Sequence, residues 1–144
     1  MHQPAKLLLV CAGLFGLIGA FLGSHLAGAG DYAMRPIHAH ILVVGWLSLF
    51  SWAVYYKVFA TKYGMLEKLH VWSAITGSFG LTIGMYINNV LESNVFTLIV
   101  YIVGGSILLL SFIIFFIQTL QQMERFVSTH CKRIGIQVLG SDMF

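Results

Sequence analysis

Two histidines separated by one residue stand where an apolar stretch of this 144-residue chain begins, in the segment Met34-Arg35-Pro36-Ile37-His38-Ala39-His40. An ionisable side chain is costly in hydrocarbon and is usually retained because it pairs with a group or ligates one. The imidazoles of His38 and His40 can ligate a metal ion or a heme iron. The chain has six histidines against eight Lys and Arg residues, a proportion that favours metal or heme chemistry over a plain scaffold.

The composition places the elements that carry these histidines in a membrane. Hydrophobic residues make up 58% of the chain and charged residues 9%, whereas a soluble domain has about 25% charged residues. Four apolar stretches, near residues 7–28, 36–58, 69–91 and 95–121, reach the roughly 20 residues that cross a bilayer core. We therefore predict an all-α fold, an integral membrane four-helix bundle over residues 1–123 with a basic tail at 124–144. No nucleic-acid-binding pattern occurs.

Basic residues predict how the bundle is oriented. One end of the predicted helices carries Lys6, Lys57, Lys62, Lys68, Arg125, Lys132 and Arg133. The other end carries Arg35 with Asp31 and Glu92. Because basic residues accumulate on the cytoplasmic side, both termini and the tail are predicted to be cytoplasmic. A cleaved signal peptide is the alternative for residues 1–29, but their apolar stretch is longer than such peptides have.

Helix geometry decides which histidines can act together. At a rise of 1.5 Å per residue, His25, His38 and His40 lie within roughly 7 Å of the outer helix ends. His70 lies near the inner end of the third helix, about 25 Å away. His38 and His70 of one chain therefore cannot ligate the same ion. On an α-helix His38 and His40 point about 200° apart, so they do not share an ion from one side either.

His38 is the favoured ligand, because Gly45 follows it on the same helical face and would leave space for a flat ring such as a heme. His25 is placed to be an opposing ligand. Arg35, one turn before His38, can bind carboxylates such as heme propionates in bidentate fashion. Aromatic residues that could form the pocket walls are Trp46, Trp52, Trp72, Tyr55 and Tyr56.

Less specific interpretations stay open for the same residues. A histidine or tryptophan near a membrane interface is often only an anchor, and Arg35 alone is more often a contact for lipid headgroups. Copper is an alternative to heme, since His25, Met34, His38 and His40 offer imidazole and thioether ligands. Three interpretations stay open for His70: an interfacial residue at the start of the third helix, a ligand of a second site, or part of a proton path with Tyr56 or Tyr86. Nothing in the sequence favours the proton path over simple packing.

Arg35-Pro36-Ile37-His38 resembles the start of the second transmembrane helix in the catalytic subunit of cbb-type heme–copper oxidases and related nitric oxide reductases, where such a segment supplies an axial histidine to a low-spin heme b. A wider resemblance covers about residues 23–86. In it, His38-Ala39-His40, Gly45-Trp46 and His70-Val71-Trp72 are similar to the pattern of short bacterial proteins identified as oxidase subunit I-like. These resemblances imply heme b at His38, with Arg35 and His40 beside it, in a bacterial cytoplasmic membrane.

The resemblance does not extend to a complete oxidase or reductase, because the four predicted helices offer no ligands for a copper and a second heme. The expected function is electron transfer or binding of a diatomic gas, O2 or NO, near the outer membrane face. Four helices are few to enclose a macrocycle, so a homo-oligomer, a dimer or trimer, is expected, with a redox partner. A copper-binding protein and a cofactor-free assembly partner of a respiratory complex are the alternatives.

Overall fold

The computed structural model describes residues 3–30, 32–59, 64–91 and 93–133. These ranges form four helices and no strand: α1 (Gln3–Ala29), α2 (Arg35–Val58), α3 (Met65–Tyr86, continued by Ile87–Leu91) and α4 (Val95–Arg133). The predicted all-α fold with four helices is confirmed. The predicted boundary at residue 123 falls inside α4. Asp31, Lys62, Glu92 and residues 134–144, which entered the predictions of orientation and tail, lie outside the described residues.

Three helices are long and apolar enough to cross a membrane: Pro4–Ala29, Arg35–Val58 and Val95–Ser128. Helix α3 covers the predicted span 69–91 but is less apolar, because serines, threonines, glycines and His70 interrupt it. Eleven of the 22 residues in Met65–Tyr86 are buried. Many of the polar side chains of α3 therefore face other helices.

Local signals in the sequence define the helix ends. Helix α1 ends at Gly30, which adopts a positive φ of 64° and donates its N–H to the Leu26 carbonyl oxygen at 3.1 Å. This left-handed conformation is the common way to close a helix and is easiest for glycine. Pro36 lies in the first turn of α2, where its missing N–H is not needed. At the start of α4, Asn94 and Thr97 bond each other's backbone N–H reciprocally, at 3.0 and 2.9 Å.

Glycines bring α3 and α4 together in antiparallel orientation. A Cβ atom added at Gly77 would lie 2.5 Å from the backbone nitrogen of Leu108, and one at Gly84 would lie 2.6 Å from Cα of Tyr101. Between them, Gly104 packs directly on the backbone of Gly80. Small residues allow membrane helices to approach until their backbones touch. The glycines of α3, spaced three and four residues apart, therefore let α3 and α4 approach closely.

Candidate functional site

The predicted ligand histidines lie at the start of α2, directly before turns that are wider than α-helical. Residues Ile41–Ser48 form a π-helix, and the Ser48 hydroxyl donates to the Val43 carbonyl oxygen at 2.9 Å. Such turns are rare and frequently occur at functional sites. Because each residue of a wide turn rotates less about the helix axis, positions 38, 42 and 46 align along one side of α2.

That side of α2 packs on three glycines of α1. Gly23 faces His38, Gly19 faces Leu42 and Gly16 faces Trp46. The contacts are close, since a Cβ atom at Gly23 would lie 2.8 Å from Cε1 of the His38 ring. The spacing of Gly16, Gly19 and Gly23 predicts a helix-packing face, and the structure confirms it. His38 is thus the one nearest the start of α2 among three side chains that fit the glycine surface of α1.

The ring of His38 is half-buried, and its Nδ1 atom is fully buried. Neither ring nitrogen has a hydrogen-bond partner among the residues that the structure describes. Buried polar atoms in native proteins almost always have a partner, and an exception points to a ligand, an ion or a chemical role. Among the predicted ligands at this end of the bundle, His38 is therefore the one with a buried ring nitrogen that has no partner in the described chain.

The space expected beside Gly45 is filled. The Phe15 ring of α1 occupies the position that a Gly45 side chain would take, and it packs at 4.6 Å on the ring of Phe79 in α3. Trp46 lies against Gly16 and is 45% exposed. Gly45 and Trp46 therefore take part in the packing of α2 on α1.

His40 is oriented differently from His38. Its Nδ1 atom lies 2.7 Å from the Pro36 carbonyl oxygen, and because a carbonyl only accepts, Nδ1 carries the proton. The bond leaves Nε2 with its lone pair, and an imidazole held by a backbone carbonyl in this way is typical of histidines that ligate metals. Of the two neighbouring histidines, His40 therefore has a fixed tautomer and His38 does not.

Two further residues of the predicted set are on the surface at this end. His25 is exposed on α1. The guanidinium of Arg35 is exposed and stacks over the Tyr32 ring, 3.6 Å from its centroid, an attractive cation–π geometry. Within the described ranges no three His, Cys, Asp or Glu side chains form a cluster that could hold a metal ion. The structure brings His25, Arg35, His38 and His40 to one end of the bundle without joining them into a ligand set.

His70 belongs to a separate site at the opposite end of the bundle. It contacts Tyr56, which follows His38 by eighteen residues in α2, a distance of roughly 25 Å along the helix. The separation of His70 from His38 agrees with the distance expected from helix geometry. Its partner Tyr56 lies in α2, and Tyr56 in turn donates to Gln118 of α4, so the site joins three helices.

The three side chains form a buried chain of hydrogen bonds. The Tyr56 hydroxyl lies 2.7 Å from Nδ1 of His70 and 2.7 Å from Oε1 of Gln118. The amide oxygen can only accept, so the hydroxyl proton points to Gln118 and His70 must donate from Nδ1 to the tyrosine oxygen. In its neutral form His70 is consequently the tautomer with the proton on Nδ1 and the lone pair on Nε2.

Aromatic rings enclose His70, which ends this chain of hydrogen bonds. Trp52 meets the imidazole of His70 edge-to-face at 4.8 Å, and Phe115 lies at 5.4 Å. His70 is completely buried, yet its Nε2 atom and Nε2 of Gln118 have no partner among the described residues. A buried polar atom left without a partner costs about 1–3 kcal/mol. Sequence reasoning identified His70, but it did not identify Gln118, which looks like one polar residue in an aliphatic helix.

Two cavities accompany these sites. One of about 380 Å³ lies between α1, α2 and α3 at the His38 end and is lined by apolar residues such as Phe15, Met34 and Phe79. The other, of about 340 Å³, lies near the His70 end and is lined by Tyr55, Phe59, Thr119, Gln122, Met123 and Phe126. His38 lines neither of them.

No family model, curated protein or solved structure matches this chain. The resemblance to heme–copper oxidase subunits therefore stays a prediction, and function has to be argued from the two ends of the bundle.

Proposed function

We propose that this chain is a membrane-bound b-type heme protein in which His38 ligates the iron. The observation that carries the proposal is the ring of His38, half-buried at the start of α2 with neither nitrogen bonded to a described residue. Heme iron is commonly held by a neutral imidazole. Because nothing in the described chain uses this ring, it is free to bind an external group.

A ring nitrogen of His38 is a suitable ligand for heme iron. The interior of one chain, however, has no room for the macrocycle. Phe15 fills the position beside Gly45, and Gly23 lies directly under the His38 ring. A macrocycle held by His38 therefore needs cover from outside the α1–α2 interface. A second copy of the chain is the cover that we propose, and a homo-oligomer, a dimer or trimer, is part of the proposal.

Bound heme b would supply one-electron transfer or binding of a diatomic gas such as O2 or NO. In this chain His38 would hold the iron, while His40 and His25 offer further imidazoles at the same end. The exposed guanidinium of Arg35 can bind propionate carboxylates in bidentate fashion. These residues suit electron transfer with a redox partner, or gas binding. They do not suit the full reaction of an oxidase or reductase.

The proposal places the bundle in a bacterial cytoplasmic membrane, with four spans and both termini in the cytoplasm. The three apolar helices support a location in a membrane. Helix α3 would cross with them, because its buried face, which includes His70, Ser73, Ser78 and Thr82, is covered by other helices. His38 and Arg35 would then lie near the outer face.

The absorption spectrum of the purified protein, oxidised and then reduced with dithionite, tests the proposal. We expect heme b bands in the wild type and at least a tenfold loss of bound heme in His38→Ala. His130→Ala serves as a control, because residue 130 lies in the last turns of α4, at the other end of the bundle. His25→Ala and His40→Ala then show which imidazole opposes His38, through loss of the low-spin spectrum.

Three outcomes would contradict the proposal. Full heme in His38→Ala would exclude His38 as the ligand. Copper in the purified protein without heme bands would favour copper binding by His25, Met34, His38 and His40. Neither metal nor heme, also after reconstitution with hemin, would favour a cofactor-free assembly partner of a respiratory complex.

A further inference from the structure

The cavity of about 380 Å³ at the His38 end is a groove that is open at the side of the bundle. Helices α1, α2 and α3 line it, and among the described residues α4 contributes none to the lining. Its edges are exposed, with Phe21 of α1 74% and Ile83 of α3 50% exposed. The groove therefore opens between α1 and α3, on a side that faces lipid when the helices span a membrane.

The groove runs along the helices. Its lining extends from Phe15 to Leu22 on α1 and from Phe79 to Tyr86 on α3, a rise of roughly 10 Å on each helix. The rings of Phe15 and Phe79, with centroids 4.6 Å apart, close its deep end. The other end lies at Met34, directly before the start of α2. A slot of this length, closed at one end and open at the helix ends, has the shape of an extended hydrocarbon chain.

The lining selects an apolar occupant. Nine of its eleven residues are aliphatic side chains, phenylalanines or methionine, and the other two are Thr82 and Tyr86. The Thr82 hydroxyl already donates to the Ser78 carbonyl oxygen at 2.8 Å. Apolar cavities stay free of water and take up apolar molecules instead. The groove therefore suits hydrocarbon, and the surrounding bilayer supplies it.

A cation lies next to the open end of the groove. Arg35 directly follows Met34 of the lining, and its exposed guanidinium lies 3.6 Å from the centroid of the Tyr32 ring. A guanidinium binds phosphate in bidentate fashion. Positive charge near the membrane surface followed by an apolar slot below it is the order of groups that complements a phospholipid.

We propose that one phospholipid binds at this groove, with an acyl chain inserted as far as Phe15 and Phe79 and its phosphate at Arg35. The lipid completes the wall between α1 and α3 that no described helix supplies. This site does not rest on the heme proposal, because His38 does not line the groove.

Native mass spectrometry of the full chain, released from detergent micelles that contain phosphatidylglycerol, tests the acyl-chain site. We expect one phosphatidylglycerol bound to each wild-type chain. Ile18→Trp fills the groove from α1 and should lower the bound fraction severalfold. Leu17→Trp is the matched control and should keep the lipid, because Leu17 is 71% exposed and does not line the groove.

A second pair of variants tests the phosphate contact. Arg35→Gln should weaken lipid binding about tenfold, since hydrogen bonds to a charged group are lost. Lys57→Gln, which removes an exposed basic residue at the other end of α2, should leave binding unchanged. His38→Ala should also keep the lipid, so that failure of the heme proposal and failure of the lipid proposal are seen separately.

The outcomes that overturn the proposal are distinct. Wild-type chains without bound lipid would reject it, and a lipid-free dimer would show that a second copy covers the groove. Full lipid binding by Ile18→Trp would mean that the acyl chain lies elsewhere. Loss of lipid in Ile18→Trp but not in Arg35→Gln would reject the phosphate contact and favour an apolar molecule without a phosphate.

Discussion

At the scale of single residues, the bonds of Tyr56 determine the chemistry of its neighbours. One phenol hydroxyl sets the tautomer of His70 and the orientation of Gln118. In an apolar bundle such a chain joins helices, and removing one member leaves its partners buried without a hydrogen bond. The stability of the bundle should therefore respond to the loss of one oxygen atom.

Tyr56→Phe is expected to lower the free energy of unfolding by about 1–2 kcal/mol, since two hydrogen bonds are lost and their partners stay buried. Tyr55→Phe is the control, because Tyr55 is half-buried among the rings of Tyr56, Phe59 and Phe115. Thermal unfolding in detergent, followed by circular dichroism, measures both. Equal midpoints for the two variants would show that the buried chain does not stabilise the fold.

The sequence predicted part of this site. A histidine inside an apolar helix is unusual enough to be singled out, and His70 was. Tyr56 and Tyr86 were both possible neighbours of His70, with nothing in the sequence to choose between them. Gln118, which is 62 positions from Tyr56 in the chain, was not identified. The pairing depends on the register of three helices, which the packing of glycines and aromatic rings decides.

At the scale of elements, the π-helix of α2 changes which residues share a face. A regular α-helix would put Gly45 below His38, and the prediction of a ring over Gly45 used that spacing. The wide turns of Ile41–Ser48 instead align His38 with Leu42 and Trp46 along the glycines of α1. No residue in this segment forces a wide turn by itself, so hydrophobic periodicity could not predict it, whereas the existence and extent of α2 followed from its apolar length.

The glycine contact between α3 and α4 leads to a prediction at this scale. Gly104→Ala is expected to destabilise the bundle by about 1–3 kcal/mol, because the new methyl group meets the rigid backbone of Gly80 and Leu81 and overpacking costs this much. Gly13→Ala is the matched control, since a Cβ at Gly13 has nothing within 4 Å. That control should be neutral or stabilising by up to about 1 kcal/mol, because alanine favours helix more than glycine.

Unfolding of both glycine variants under one detergent condition measures the difference. A Gly104→Ala protein as stable as Gly13→Ala would mean that α3 and α4 are not packed backbone to backbone. A further variant, Gly105→Ala, lies beside Gly104 but meets only the end of the Leu81 side chain at 3.5 Å, so it should behave like the control.

At the scale of the whole molecule, the two sites lie at opposite ends of one bundle. The His38 end contains the connection between α1 and α2 and the end of α3. The His70 end contains the start of α1, the end of α2 and the start of α3. Lys6, Lys57, Lys68 and Arg125 belong to the second end and Arg35 to the first. If basic residues set the orientation, the unpartnered His38 lies towards the outside and His70 lies towards the cytoplasm.

Single cysteines test that orientation in intact cells, in a background in which Cys11 and Cys131 are replaced by serine. Tyr32→Cys and Met65→Cys are suitable positions, because both side chains are exposed at helix ends, with Met65 88% exposed. A membrane-impermeant maleimide should label Tyr32→Cys in intact cells and Met65→Cys only after permeabilisation. The opposite pattern would place His38 on the cytoplasmic side, and labelling of both in intact cells would mean that α2 does not cross the membrane. The result therefore decides from which side of the membrane a redox partner could reach His38.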